Sequence, residues 1–155
     1  MGGGGTVGAG AEGWALLALA GPRRPVGGAD GELDSFVDED GSAGQRRSRL
    51  LLAGLAGLER IGSGEIAEYS GRLGLDFSAQ TRWTRMIDRA AEVDNPALVA
   101  MLAGLGMQGS SWDRMTARHL YHIVSALRRV GLEAEARMIA AAAVARPSRE
   151  RALRR

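Results

Sequence analysis

His119 and His122 are the only histidines in the chain. They stand three residues apart, which on a helix sets both rings on one side. That spacing suits a metal ligand pair or a general base. The groups that would complete such chemistry are not in the sequence. There is no cysteine, which removes thiol nucleophiles, disulfides, iron–sulfur clusters and Cys-based zinc sites. There is no lysine either, because all twenty basic residues are Arg. That excludes a Walker-type phosphate Lys, a Schiff-base Lys and a kinase-type Lys. Asp113 is the only nearby carboxylate, and no Ser or Asp is set beside the histidines by a recognisable motif. The pair therefore reads as two polar residues flanking an apolar stripe. No catalytic residue, metal or cofactor is expected, and the chain is not read as an enzyme.

Other short motifs fail in the same physical way. Gly104, Gly106 and Gly109 match a dinucleotide fingerprint, but that fingerprint needs a strand before it and a helix after it. Here it follows a helix, so it reads as a helix end and loop. Asp38, Glu39, Asp40 and Gly41 resemble a calcium loop, yet Phe36 and Arg47 occupy positions where acids are required. A solvated acidic loop is expected instead. Trp112 lies in the longest loop of the folded part, 106–115, and is expected to fold back over a hairpin end. Arg146, Arg149, Arg151, Arg154 and Arg155 make a basic tail with no aromatic interleaved, which leaves base stacking unsupported.

The elements that carry these residues follow from composition and spacing. At 45% hydrophobic and 25% charged the composition is that of a water-exposed globular chain, its apolar part mostly Leu and Ala, which favour helix over sheet. All-Arg, Gly- and Ala-rich usage points to a GC-rich bacterial genome. Residues 1–45 hold two Arg against seven acids, and 46–155 hold eighteen Arg against eleven. That asymmetry predicts an acidic flexible arm over 1–45, with short helices near 11–20 and 32–39, and a mildly basic helical domain over 46–146. Residues 147–155 form the tail. No apolar run reaches the ~20 residues of a membrane span; the longest, 14–20, is far shorter and has no basic residue before it. The cytoplasm is the expected compartment, or the periplasm if the chain is an N-terminally truncated fragment, because Met-Gly-Gly-Gly-Gly reads as the middle of a linker.

From Arg46 the helical period is regular. Leu51, Leu55 and Leu58 share a face closed by Gly62. Ser63 opens a second helix that ends at Gly74. Ser78 opens a third, with Trp83, Met86, Ile87, Ala90 and Val93 on one core-facing stripe. Asn95-Pro96 starts a fourth that ends at Gly106. Thr116 caps a fifth with Leu120, Ile123, Val124, Leu127 and Val130 on one face, closed by Gly131. A sixth runs from Leu132 to Arg146. The expected fold is all-α: three stacked antiparallel helix pairs.

The third pair resembles a tetratricopeptide repeat. Leu120, Ile123 with Val124, Leu127, Gly131, Ala136, Ala140 with Ala143, and Pro147 hold that family's places. The Pro falls one residue early and Ala140 replaces an aromatic. The first pair matches through Leu51, Leu55, Leu58, Gly62 and Ala67, then departs at Gly71. The middle pair keeps Trp83, Met86, Ile87 and Ala90 but has Asp94 where the turn Gly belongs. The resemblance implies an α-solenoid whose first helices line a concave binding face. In that register Arg118, Tyr121, His122, Ser125, Arg128 and Arg129 of the third pair, and Thr81, Thr84, Arg85 and Asp88 of the middle pair, form a basic surface. Such a surface suits an acidic peptide or protein partner. Two other functions fit less of the sequence: a nucleic-acid-associated protein using the Arg tail, and the helical end of a larger envelope-associated protein.

Overall fold

In a computed structural model of the chain, which describes residues 9–22, 29–108 and 114–146, every regular element is helical. The order is α1 (Ala9–Ala20), α2 (Ala29–Glu39), a 3-10 turn (Ala43–Gln45), α3 (Arg46–Gly57), α4 (Ser63–Leu73), α5 (Arg82–Glu92), α6 (Pro96–Gly106), α7 (Ala117–Arg129) and α8 (Glu133–Ala145). Among the described residues no helix is long and apolar enough to cross a membrane.

Local chemistry sets the boundaries. Thr81 Oγ1 accepts from the Thr84 backbone N–H at 3.2 Å, Asn95 Oδ1 from Leu98 N–H at 3.1 Å, and Thr116 Oγ1 from His119 N–H at 3.2 Å. Each satisfies one of the donors that a helix leaves unpaired at its start. Thr81, not Ser78, therefore opens α5. Gly131 ends α7 with a φ of +84°. At the end of α3 the left-handed residue is Glu59, φ +56°, and Gly62 instead begins α4, where its N–H donates to Glu65.

α3 organises the interior. Every residue from 50 to 58 is buried. A helix apolar on all sides must be enclosed, and α3 packs most extensively on α7 while also meeting α8, α4 and α1. In a linear stack α3 would lie against the middle pair; here the first and third pairs meet directly. Two glycines permit this. A Cβ at Gly57 would stand 2.9 Å from Val124 Cγ1 of α7, and one at Gly54 would stand 3.2 Å from Ala140 Cβ of α8.

Residues 9–22 and 29–39 differ from the flexible arm expected of 1–45. Ala15, Leu19, Leu33 and Phe36 are buried in the same core as α3 and α7. α1 lies against α8, α2 and α3. Its last turn carries no basic residue, but Arg60 donates to Gly21 O at 2.9 Å and Arg137 to Ala20 O at 3.3 Å. Cations from distant elements thus meet the negative end of this helix. Arg47 joins three elements, donating to Glu12 of α1 at 2.7 Å and to Val144 O of α8 at 3.1 Å. Asp40 is no solvated loop residue: one carboxylate oxygen accepts from Ser48 N–H and Oγ, the other from Ser42, and together they cap α3.

α2 is held to α4 by a polar cluster. The buried Tyr69 hydroxyl donates to Asp34 at 2.7 Å, and Arg72 donates to the same oxygen at 2.6 Å. Burial and the Asp34 hydrogen bond push the Tyr69 hydroxyl up from its ordinary 10.0. A phenol raised in the folded state adds stability that is complete below its ordinary value and is lost as the pH rises beyond it. Wild type is therefore expected to lose denaturation midpoint faster than Tyr69→Phe above about pH 10. Equal slopes for the two proteins in urea titrations across that range would show that the hydroxyl has no such role.

Candidate functional site

α5 is fastened to the centre of the molecule by its inner side. Thr84, Ile87 and Ala91 are buried, and Asp88 accepts from His122 Nδ1 of α7 at 3.0 Å. α6 folds back on α5, and Trp83 fixes that return. Its indole N–H donates to Leu102 O at 3.1 Å, and its ring lies where a Cβ at Gly106 would be, 2.8 Å away. Gly104 and Gly106 accordingly belong to a helix end packed on a tryptophan.

With that side committed, the outer side of the α5–α6 pair is open. Arg82, Arg85, Met86, Arg89, Ala90 and Val93 follow one another at helical spacing and, with Leu98 and Leu102 of α6, line a groove of about 510 Å³. Met86 is 50% exposed and Val93 63%. Leu98, Met101 and Leu105 are exposed along α6 as well. The five exposed apolar side chains lie close in sequence on two adjoining helices, where a monomer ordinarily scatters them. The stripe expected to face the core is thus divided: Ile87 and Ala90 face inward, Trp83 is half-buried, and Met86 and Val93 face out.

The residues assigned from sequence to a basic concave face are distributed differently. α7 lies inside the molecule, in contact with α3, α5, α6 and α8. His122 is 4% exposed, and its Nε2 is buried without a hydrogen-bond partner among the described residues. It clasps α5 through Asp88 and touches the Tyr121 ring edge-on at 5.3 Å. Tyr121 stacks on Phe77 at 4.8 Å. Ser125 lies where α3 crosses, its backbone N 3.2 Å from a Cβ placed at Gly57. Arg128 donates to Gly57 O at 3.0 Å and to Glu59 at 3.2 Å, so it closes the end of α3. Thr81 and Thr84 serve as the start of α5. Arg129 is exposed, Arg85 lines the α5–α6 groove, and Arg118 lines a separate cleft. The single concave face is therefore not assembled: of the ten predicted residues, Asp88, His122 and Tyr121 meet, Thr81 pairs with Thr84, and Arg85 alone reaches the groove.

The two histidines also diverge. His119 contacts Thr116 through Nδ1 at 3.3 Å and the Trp83 ring edge-on at 4.9 Å. Burial holds its imidazole below the usual 6.5, aided by the charges of His122 and Arg118. Trp112, Asp113 and Gly109, like Pro147 and the tail 147–155, lie outside the described residues. The signal for the groove was present in the sequence as Arg at 82, 85 and 89 interleaved with Met86 and Val93.

No protein-family model, curated protein or solved structure matches this chain.

Proposed function

We propose that the chain is a protein-interaction module that receives an acidic amphipathic helix of a partner protein in the α5–α6 groove. The observation that carries this reading is the pairing of exposed Met86 and Val93 with Arg82, Arg85 and Arg89 along one edge of the same groove. Apolar side chains at i, i+3, i+4 and i+7 of an incoming helix would cover the methionine and valine. Acidic residues beside them would meet the arginines, whose planar forks take carboxylates in bidentate fashion. Methionine at such a surface adapts to the shape of what it meets. A second copy of this face is a poor occupant, since two copies would bring arginine rows together.

The packing of the α5–α6 pair on α7 supports the same reading. α7 covers the inner side of α5 and α6, and the outer side is left for a partner. The acidic partner expected from sequence is retained, and its seat moves from α7 to α5.

The test uses the full chain and a fluorescent helical peptide with Leu at i, i+3, i+4 and i+7 flanked by Glu, beside a version carrying Lys in place of Glu. Anisotropy is expected to show the acidic peptide binding about tenfold or more tighter than the basic one, a difference of about 1.4 kcal/mol or more. Met86→Glu and Val93→Glu are expected to abolish binding while leaving the melting temperature unchanged, as exposed substitutions do. Equal binding of both peptides, or binding unaffected by either substitution, would overturn the proposal.

A further inference from the structure

The α5–α6 groove contains its own oxidisable atom. Met86 lies mid-way along α5 and lines the groove. A thioether sulfur is soft and polarisable, and the chain has no cysteine thiol to meet an oxidant first. Access then ranks the methionines. Met115 is 5% exposed and shielded in the core, whereas Met86, Met101 and Met138 are open at 50%, 62% and 67%. Met138 lies away on α8, and among the described methionines Met86 alone lines the groove.

The neighbours of Met86 decide what its oxidation does. Arg82 stands four residues before it and Arg89 three after, spacings that set side chains next to one another on a helix. Both line the same groove, as does Arg85. A thioether is a weak acceptor, so the reduced side chain leaves those guanidinium groups to the carboxylates of a partner. A sulfoxide is polar, with an oxygen that accepts hydrogen bonds. Set among three guanidinium groups, it draws donors away from the partner and puts a polar group where an apolar contact belongs. Both changes weaken the same complex. Neither disturbs the core, because Met86 is at the surface while Ile87 and Ala90 hold α5 from the other side.

We propose that Met86 is a site of reversible oxidation by hydrogen peroxide, which switches the α5–α6 groove from binding to non-binding. In this step a sulfur lone pair attacks one peroxide oxygen. The S–O bond forms as the O–O bond breaks, so sulfur is oxidised and the peroxide reduced. The proton of the attacked oxygen passes to the departing one, which leaves as water. The inference rests on the reading of the groove as the seat of an acidic helix.

The test treats the full chain with hydrogen peroxide until mass spectrometry shows Met86 converted and Met115 unmodified. Anisotropy with the acidic helical peptide is read before and after, so each protein is its own reference. Wild-type affinity is expected to fall by about tenfold or more, with circular dichroism and melting temperature unchanged. Treatment with methionine sulfoxide reductases for both sulfoxide epimers is expected to restore it. Met86→Leu, with no sulfur at this position, is expected to bind equally before and after peroxide. Met138→Leu is expected to lose affinity as wild type does. Met86→Gln, already polar, is expected to bind about as weakly as oxidised wild type, with or without peroxide. No binding of the acidic peptide by the untreated chain would remove the groove reading and this inference with it. Binding by the untreated chain that survives conversion of Met86, a loss in Met86→Leu as large as in wild type, or a loss that comes with unfolding would overturn this inference alone.

Discussion

Phe36→Ala is expected to lower the unfolding free energy by about 3–5 kcal/mol, the range found when a fully buried aromatic is cut back to a methyl group. Phe36 has no exposed surface, lies in the main core, and has the Arg47 guanidinium over its ring at 5.6 Å. Loss of the ring removes the apolar contact by which α2 joins the helices around α3, and leaves a cavity under Arg47. Arg47 itself ties α1, α3 and α8, so the space does not collapse without disturbing three elements. The result separates two architectures. Were residues 1–45 an acidic arm outside the domain, the same substitution would cost less than about 0.5 kcal/mol, as at an exposed position. Urea unfolding of the two proteins, compared at equal m, measures the difference. A single transition that moves as a whole would also place α2 in the cooperative unit, whereas a separate early transition would detach it.

Gly57→Ala is expected to destabilise by about 1–3 kcal/mol, although alanine is the better helix former by about 0.5–1 kcal/mol. Gly57 is the last residue of α3, where that helix crosses α7. An added methyl would lie 2.9 Å from Val124 Cγ1, 3.0 Å from Val124 Cβ and 3.2 Å from the Ser125 backbone N. Two of these three neighbours can move only if the α7 backbone moves with them. α7 is held by Arg128 on the Gly57 carbonyl and by His122 on Asp88, so the adjustment spreads to α5. A double-mutant cycle with Val124→Ala gives the decisive reading. Trimming Val124 removes the closest contact, so Gly57→Ala is expected to cost less in that background, with a coupling within the ~0.5–3 kcal/mol seen for touching residues. Additive costs would mean that α3 and α7 do not cross at this glycine.

The six helices expected from Arg46 onward are all present, and the chemistry that starts and stops them is local. Thr116, Asn95-Pro96, Gly74 and Gly131 act within one turn of their own positions, which is why residue types alone disclose them. The misplaced boundaries have the same cause. Ser78 and Thr81 are both good caps, and what distinguishes them is that Ser78 is engaged with Asp76 while Thr81 is free to receive Thr84 N–H.

The candidate groove was legible only as a pattern of side chains. Arg82, Arg85 and Arg89 beside Met86 and Val93 are plain in the sequence, and one amphipathic stripe is consistent with facing either a core or a partner. Packing decides between them: Thr84, Ile87 and Ala91 are buried and Asp88 meets His122 on the inner side, which leaves Met86 and Val93 outward. The same holds for α3. Its unbroken apolar run from 50 to 58 marks a helix that must be enclosed, yet nothing within the run names the enclosing partners. Those are α7 and α8, some seventy or more residues along the chain, and α1 from the segment whose acidity resembled a linker.

Composition alone excluded chemistry that needs lysine or cysteine, and spacing alone located the helices, since both depend on residue type and on contacts within about four positions. Which helix lies innermost, and that residues 9–22 and 29–39 belong to the core, were settled by tertiary packing. Burial is a property of what arrives from elsewhere in the chain, and a helix carries no record in its own sequence of the neighbour that will cover it.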